Sequence, residues 1–138
     1  MANNKYITPE GKTKLLQLGF LNNTSGTFSY LALGGEGSSA AISNDKNQFS
    51  EVTGDNYHRV QLEQEGEIRA DSQSITLSAF FEDMNYNPSQ GGTITEIAVV
   101  DNDENSGELD TFFAFADVPD IEKNDNISLK YSIIISIL

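Results

Sequence analysis

The residues best suited to chemistry in this sequence are carboxylates, and the most regular set lies between positions 101 and 105. Asp101, Asp103 and Asn105 have the alternate spacing with which a calcium-binding loop begins. Such a loop also needs a glycine at its sixth position and a glutamate at its twelfth, where this chain has Ser106 and Phe112. Because these later residues do not fit, we interpret the segment as a solvated hairpin tip, with a weak calcium site as the alternative.

Glu96 is the second candidate, since it is the one charged residue in the apolar run 94–100. Two carboxylates can cleave a glycosidic bond together, but the sequence identifies no partner for Glu96, and a structural role is the better interpretation. A carboxylate on a central strand needs hydrogen-bond donors, which either Arg59 or the backbone of a turn would supply. We predict that Arg59 and Glu96 form a buried or half-buried ion pair.

The remaining side chains offer little to catalysis or to a cofactor. The chain has no cysteine and a single histidine, His58, which excludes thiolate sites and sites with several histidines. The glycine-rich segment 34–39 lacks the Gly-Lys-Ser/Thr of a phosphate loop. Tyr57 and Tyr86 lie beside predicted loops and are candidates for a contact surface, for example a sugar-binding platform. We therefore predict a protein that is not an enzyme and has no cofactor.

Size and charge restrict the class of partner. A chain of 138 residues fits a single domain, residues 1–138. Its net charge of -13 disfavours binding to nucleic-acid phosphates and to anionic membrane surfaces, and leaves a basic protein or divalent cations as partners. The longest apolar stretch, residues 133–138, is far shorter than a membrane helix needs. The N-terminal residues lack the apolar segment of a signal peptide.

Hydrophobic patterning predicts a mainly β fold, an antiparallel β-sandwich with one short N-terminal α-helix. The helix is expected at about residues 8–19, where Thr8 can cap it and Leu15, Leu16 and Leu18 supply an apolar side that must dock. A turn at Pro119 is expected to end the strand before it. Strands are predicted at about residues 27–33, 57–65, 73–81, 93–101, 111–118 and 127–137.

The predicted last strand is the clearest candidate for assembly. A strand of this length is about twice the usual five or six residues, so it either bends through two sheets or projects to pair with another chain. We predict that residues 127–138 and the N-terminal helix carry the contacts of a homo-oligomer. The alternating apolar residues of this strand, which are expected to point inward, are Ile127, Leu129, Tyr131, Ile133, Ile135 and Ile137.

The order of these segments resembles a known family, the N-terminal domain of phage tail-collar fibre proteins and related tail, baseplate or fibre attachment proteins. That family opens with a Thr-x-x-Gly helix start, followed by a strand ending in Leu-Gly and an arginine on the next strand. Its strongest motif is an Ile-x-Glu-Ile strand that ends in aspartate, and a Phe/Ala strand and a long Ile-rich strand close the domain. The corresponding segments here are Thr8-Pro9-Glu10-Gly11, Leu31-Ala32-Leu33-Gly34-Gly35, Arg59, Ile94-Thr95-Glu96-Ile97-Ala98-Val99-Val100-Asp101 and the strands at 111–118 and 127–137.

The resemblance implies a non-enzymatic virion structural protein of a bacteriophage, an adaptor or attachment module of the tail, baseplate, collar or fibre. The implied location is the virion. The implied partners are other tail or fibre proteins and further copies of the chain itself, with a trimer favoured by the likeness to fibres. Two alternatives stay open: a carbohydrate- or host-receptor-binding β-sandwich module, and a head-fibre or capsid-decoration protein.

Overall fold

The chain is described by a computed structural model that covers residues 5–20, 28–65, 74–88, 92–105 and 110–136. Within these ranges the backbone forms short helices and strands of two to twelve residues. In chain order they are β1 Lys5–Ile7, α1 Pro9–Phe20, β2 Tyr30–Gly35, α2 Ala40–Ser43, a 3-10 helix Lys46–Gln48, β3 Val60–Gln61, β4 Glu63–Glu65, β5 Ser74–Phe81, β6 Gly92–Val100, β7 Phe112–Lys123 and β8 Leu129–Ser136.

The strands form two antiparallel sheets with an apolar core between them. The larger sheet has the strand order β1-β7-β6-β2-β3, and the smaller sheet has the order β4-β5-β8. Large apolar side chains from both sheets meet in one cluster, which includes Leu33, Phe81 and Val99. The predicted antiparallel β-sandwich with a short N-terminal helix is therefore confirmed.

Strand β6 lies in the middle of the larger sheet and is buried on both faces, as its apolar run predicts. Ile97 and Val99 point into the core between the sheets. Ala98 and Val100 belong to a second apolar cluster on the opposite face, together with the two alanines of α2. Small side chains at this second face allow α2 to pack closely against the sheet.

The predicted strand 57–65 is wrong as a single strand, because the chain changes sheet at Leu62. β3 pairs with β2 in the larger sheet, whereas β4 pairs with β5 in the smaller one. Leu62 is buried at this corner, and its backbone N–H donates to the carbonyl oxygen of Ser29 at 2.6 Å. Side chains continue to alternate through the corner, so the sequence pattern does not reveal it.

The expected end of a strand at Pro119 is also wrong, since β7 continues to Lys123. The pairing of β7 with β6 is irregular at this point: Glu96 lies opposite Asp117, but Ile94 lies opposite Ile121. The extra residues on β7 form a bulge that contains Pro119, and a bulge tolerates the missing N–H of proline.

Strand β8 pairs along its whole length with β5, from Phe81 opposite Leu129 to Ser74 opposite Ser136. It lies in the smaller sheet alone and does not bend through both sheets. Ile127 precedes the strand and is half-buried, which corrects the predicted start, and Ile137 lies outside the described residues.

Candidate functional site

The carboxylate of Glu96 is fully buried and lies against the start of α2. It accepts hydrogen bonds from the backbone N–H groups of Ala40 at 3.0 Å and Ala41 at 3.2 Å, and from the hydroxyl of Ser38. These N–H groups have no partner within the first turn of a helix, so a carboxylate satisfies them well. Gly34 makes the approach possible, because a Cβ there would lie 2.8 Å from Cγ of Glu96.

The predicted ion pair between Arg59 and Glu96 is wrong. Both side chains are buried, as expected, but Glu96 is satisfied by a backbone turn, the other donor considered from the sequence. Arg59 instead binds Glu51 through two parallel hydrogen bonds of 2.8 and 2.7 Å, and its Nη2 lies 3.0 Å from Oδ2 of Asp110. The two partners come from irregular segments, which strand alternation does not describe.

The guanidinium of Arg59 forms hydrogen bonds with several segments of the chain. Its Nη1 donates to Oδ1 of Asn102 at 2.7 Å and to the backbone carbonyl of Glu104 at 2.9 Å. Burial disfavours its charge, but the hydrogen bonds that it donates to the carboxylates of Glu51 and Asp110 outweigh burial and raise the pKa of Arg59. The arginine therefore stays charged and ties the loop before β3 to both ends of the β6–β7 connection.

Tyr57 and Tyr86, the two candidates for a contact surface, are half-buried and contact each other. Their ring centroids lie 6.1 Å apart in an edge-on arrangement. The Tyr57 hydroxyl donates to Oε2 of Glu51 at 2.5 Å and accepts from the N–H of Leu33 at 3.1 Å. Burial and the nearby Glu51 carboxylate raise the pKa of Tyr57. These rings are part of the packing and do not form an exposed platform for a sugar.

The candidate calcium ligands do not converge. Oδ2 of Asp101 lies 2.6 Å from Nζ of Lys14, and Oδ1 accepts from the N–H of Thr111 at 3.1 Å. Asp103 and Asn105 are exposed. Among the described residues no group of three or more acidic or histidine side chains is placed to hold a metal ion. Asp101 at the end of the strand motif thus holds α1 and the start of β7 in place, which is a structural role.

Helix α1 is fixed to β7 through its first turn. The N–H of Thr8 donates to the carbonyl of Phe113 at 2.8 Å, and its hydroxyl donates to the carbonyl of Phe112 and accepts from the N–H of Gly11 at 2.9 Å. Thr8 is therefore the predicted helix cap. The predicted docking side is wrong at Leu15 and Leu16, which are exposed, since the helix faces β7 through Thr8 and Gly11. The side chain of Leu18, the third predicted docking residue, lies outside the described part of the helix.

The predicted assembly residues occupy the outer strand of the smaller sheet. Leu129, Tyr131, Ile133 and Ile135 point toward the core, as predicted, but are only half-buried. Burial raises the pKa of Tyr131 to about 12. Ile134 points the other way and is 69% exposed. On its outer side, β8 has no neighbouring strand in the part of the chain that the structure describes.

A groove of about 630 Å³ lies between the segment 56–61 and the segment 80–85. Its lining includes the exposed apolar side chains of Phe80 and Met84. Polar side chains in the lining include Asn56, Gln61 and Glu82. The sequence predicts the loops 40–56 and 82–90 as the place for a carbohydrate or receptor, and these loops supply Asn56, Glu82 and Met84 to the lining. The rest of the groove comes from predicted strands in separate parts of the chain, so its shape was not predicted.

Comparison of the chain with known protein families, with curated proteins and with solved structures found no match. In the described ranges, none of the helices has both the length and the apolar character required to cross a membrane. Function must therefore be inferred from the residues and contacts of this chain and from the resemblance of its sequence motifs.

Proposed function

We propose that this protein is a non-enzymatic structural module of a bacteriophage virion, an adaptor or attachment module of the tail, baseplate, collar or fibre. The observation that carries the proposal is the outer edge of β8. It is a strand of eight residues with an exposed isoleucine, Ile134, and none of the described strands pairs with its outer side. Such an edge is a template for pairing with another chain.

The contacts of the motif residues support a structural role. Thr8 and Gly11 fix α1 on β7, Glu96 caps α2, and Arg59 joins three segments through charged hydrogen bonds. Asp101 binds Lys14 of α1. Residues of a catalytic site direct polar atoms into a cavity for a substrate, whereas each of these groups is engaged by the fold itself.

Self-assembly is part of the proposal, and α1 provides its contact surface. Leu16 is 62% exposed and Leu15 lies beside it, also exposed. Replacing both leucines by serine should lower the mass of the oligomer in solution, measured by light scattering. The melting temperature of this variant should stay within a few degrees of that of the wild type. A wild-type chain that is monomeric at high concentration would contradict self-assembly.

The virion role is tested on phage particles. Mass spectrometry of purified particles should detect this chain in fixed ratio to the tail proteins, and antibody labelling in the electron microscope should place it on the tail, collar or fibre. Labelling on the head would favour a head-fibre or decoration protein. Absence of the chain from particles that are otherwise complete would overturn the proposal.

A second candidate function is the binding of a carbohydrate or a host receptor at the groove between segments 56–61 and 80–85. Exposed Phe80 beside amide and carboxylate side chains is suited to stacking and hydrogen bonding with a sugar ring. A glycan array tests it, with Phe80→Ser as the matched variant. Binding that is lost in this variant would favour the second function over the first.

A further inference from the structure

Strand β8 has the least protected edge in the described part of the chain. Natural proteins protect edges with short strands, charges, prolines and bulges. β1, β3 and β4 are only two or three residues long. The part of β7 beyond β1 contains the Pro119 bulge and exposes Asp120 and Glu122. β8 has eight residues without a proline, and its one charged residue, Lys130, is ion-paired with Glu65.

The larger sheet extends past β8 on this side of the sandwich. The two sheets are joined at the corner between β3 and β4, and they contain five and three strands. If the strands are counted from that corner, the strand order places β4, β5 and β8 opposite β3, β2 and β6, and no strand of the described residues remains to lie opposite β7 and β1. This arrangement predicts that the core-facing side chains of β7 and β1 are less buried than those of β2 and β6.

Burial of the core-facing side chains follows this arrangement. Leu33 of β2 and Val99 of β6 are buried, and so is Phe113 at the start of β7, whereas Ala114 and Ala116 farther along β7 touch the core but are only half-buried. Ile7 of β1 lies opposite Ala114 and therefore on the same face, and it is 40% exposed. A large apolar residue left open on a core face indicates that the sandwich is incomplete there.

We infer that this region accepts an extended strand contributed by a different protein. The acceptor strip consists of the outer edge of β8 together with Ile7, Ala114, Ala116 and Val118. A strand beside β8 would satisfy the open backbone groups, and its alternate side chains would cover the floor of the strip. The inference rests on the attachment role proposed above and names the kind of partner that it uses.

A second copy of the chain does not fit the acceptor strip through its own β8. Paired strands lie about 4.8 Å apart, so two β8 strands placed side by side would bring the two larger sheets onto the same space. In the arrangement inferred from the strand order, β7 and β1 of each copy extend past the β8 edge and would overlap. An extended segment without a sheet beneath it has no such overlap, so the occupant is a strand from another chain.

Charge defines the partner further. The protein has a net charge of -13, and the exposed carboxylates of Asp120 and Glu122 lie on β7 beyond Val118. Opposite charge on the partner would speed association and offset the repulsion between acidic surfaces. The strand is therefore a segment of alternating apolar and polar residues flanked by lysine or arginine.

The test uses the full chain and a fluorescent peptide with the sequence of residues 128–136 flanked by two lysines at each end. This sequence has the apolar alternation that the strip requires. Fluorescence anisotropy should show saturable binding, and the same peptide with glutamate flanks should bind about tenfold more weakly. If the lysine-flanked peptide does not bind the wild-type chain, the inference is overturned. This holds even if another segment is later found in the strip.

Two variants with the same change in charge locate the binding. Val118→Asp places a carboxylate on the floor of the strip and should weaken the binding of the lysine-flanked peptide by at least about tenfold. Ile134→Asp adds the same charge on the opposite face of β8 and should change the affinity by less than about threefold. Ile7→Asp serves if Val118→Asp lowers the melting temperature. Equal losses in the floor and control variants would contradict the site.

Cross-linking tests the second copy as occupant. The chain contains no cysteine, so single cysteines at Ser132 and Ile134, tested separately, report only on contacts of β8. Under mild oxidation they should form no more disulfide dimer than Thr53→Cys, which lies in an exposed loop away from both β8 and α1. Efficient dimers through β8 would overturn the inference and leave the virion role standing. Peptide binding by a chain absent from particles would overturn the virion role alone.

Discussion

Glu96 holds the start of α2 through charged hydrogen bonds to Ala40 and Ala41. In Glu96→Gln an amide N–H₂ group would face one of these N–H donors, so a bond is lost inside the fold. We expect the free energy of unfolding to fall by about 2 kcal/mol, measured by urea denaturation. Glu36→Gln changes the same charge at an exposed turn and should stay within about 0.5 kcal/mol of wild type. Equal effects of the two substitutions would refute the capping role.

The carboxyl group of Asp101 makes the free energy of unfolding depend on pH. Burial alone would raise the pKa of Asp101, but the hydrogen bonds from Lys14 and from the N–H of Thr111 outweigh burial and lower it below 3.8. The folded state therefore binds a proton less readily than the unfolded state, and the stabilisation is present above the unfolded pKa and is lost as pH falls through the folded pKa.

The corresponding experiment compares the wild type with Asp101→Asn. The wild type should be the more stable near neutral pH, and the difference should shrink at about pH 3 and below, since the carboxylate of the unfolded chain has a pKa of about 3.9. Asp103→Asn removes an exposed carboxylate two residues away and should show little difference at either pH. A difference that is constant with pH would show that the Lys14 contact is not the cause.

The buried charges illustrate how far residue-level reasoning from sequence extends. The burial of Glu96 could be predicted from the apolar run beside it, and so could the need of a buried charge for partners. The burial of Arg59 does not follow from alternation, which places it on the polar side of its strand, away from Val60 and Leu62. The partners themselves could not be predicted. Glu51 lies in an irregular segment, and Asp110 follows a polar run 51 residues along the chain from Arg59. No local periodicity connects positions that only the packed sheet brings together.

At the scale of elements, α1 lies unusually close to β7. A Cβ at Gly11 would lie 2.7 Å from the backbone Cα of Phe113. Replacing a helical glycine by alanine normally stabilises a helix by about 1 kcal/mol, but here the helix would have to move away from the strand. We expect Gly11→Ala to lower stability by about 1–3 kcal/mol in urea denaturation. Lys12→Ala, exposed on the same helix, should be nearly neutral, and a Gly11→Ala protein that is more stable than wild type would contradict the close contact.

Element types and faces could largely be predicted, whereas their connections could not. Alternation identified β5 and β8, because one side of each strand faces the core, and a continuous apolar run identified β6, which is buried on both faces. The corner at Leu62 went unrecognised, since the side chains keep alternating while the chain changes sheet. The β7 bulge went unrecognised because a proline usually ends a strand, and only the pairing with β6 shows that this one does not.

At the scale of the whole molecule, charge separates the two kinds of assembly by their salt dependence. Copies with a charge of -13 repel each other, and raising salt from about 0.1 M to about 1 M shortens the screening length from about 10 Å to about 3 Å. Self-association should therefore strengthen with salt, while binding of the lysine-flanked peptide should weaken. Light scattering measures self-association and fluorescence anisotropy measures peptide binding, both over one salt series. If salt strengthened both or weakened both, net charge would not govern the two kinds of assembly.

The pairing of β8 with β5 also determines how an attached load is carried. Eight residue pairs join the two strands side by side, with hydrogen bonds perpendicular to the strand axis. A force along that axis is shared by all the bonds at once, in shear, and passes through β5 and β4 to the larger sheet at Leu62. A force perpendicular to the sheet's edge would instead open the pairs one after another. The attachment of a partner at β8 therefore resists a force along the strand and releases more easily under a force across it.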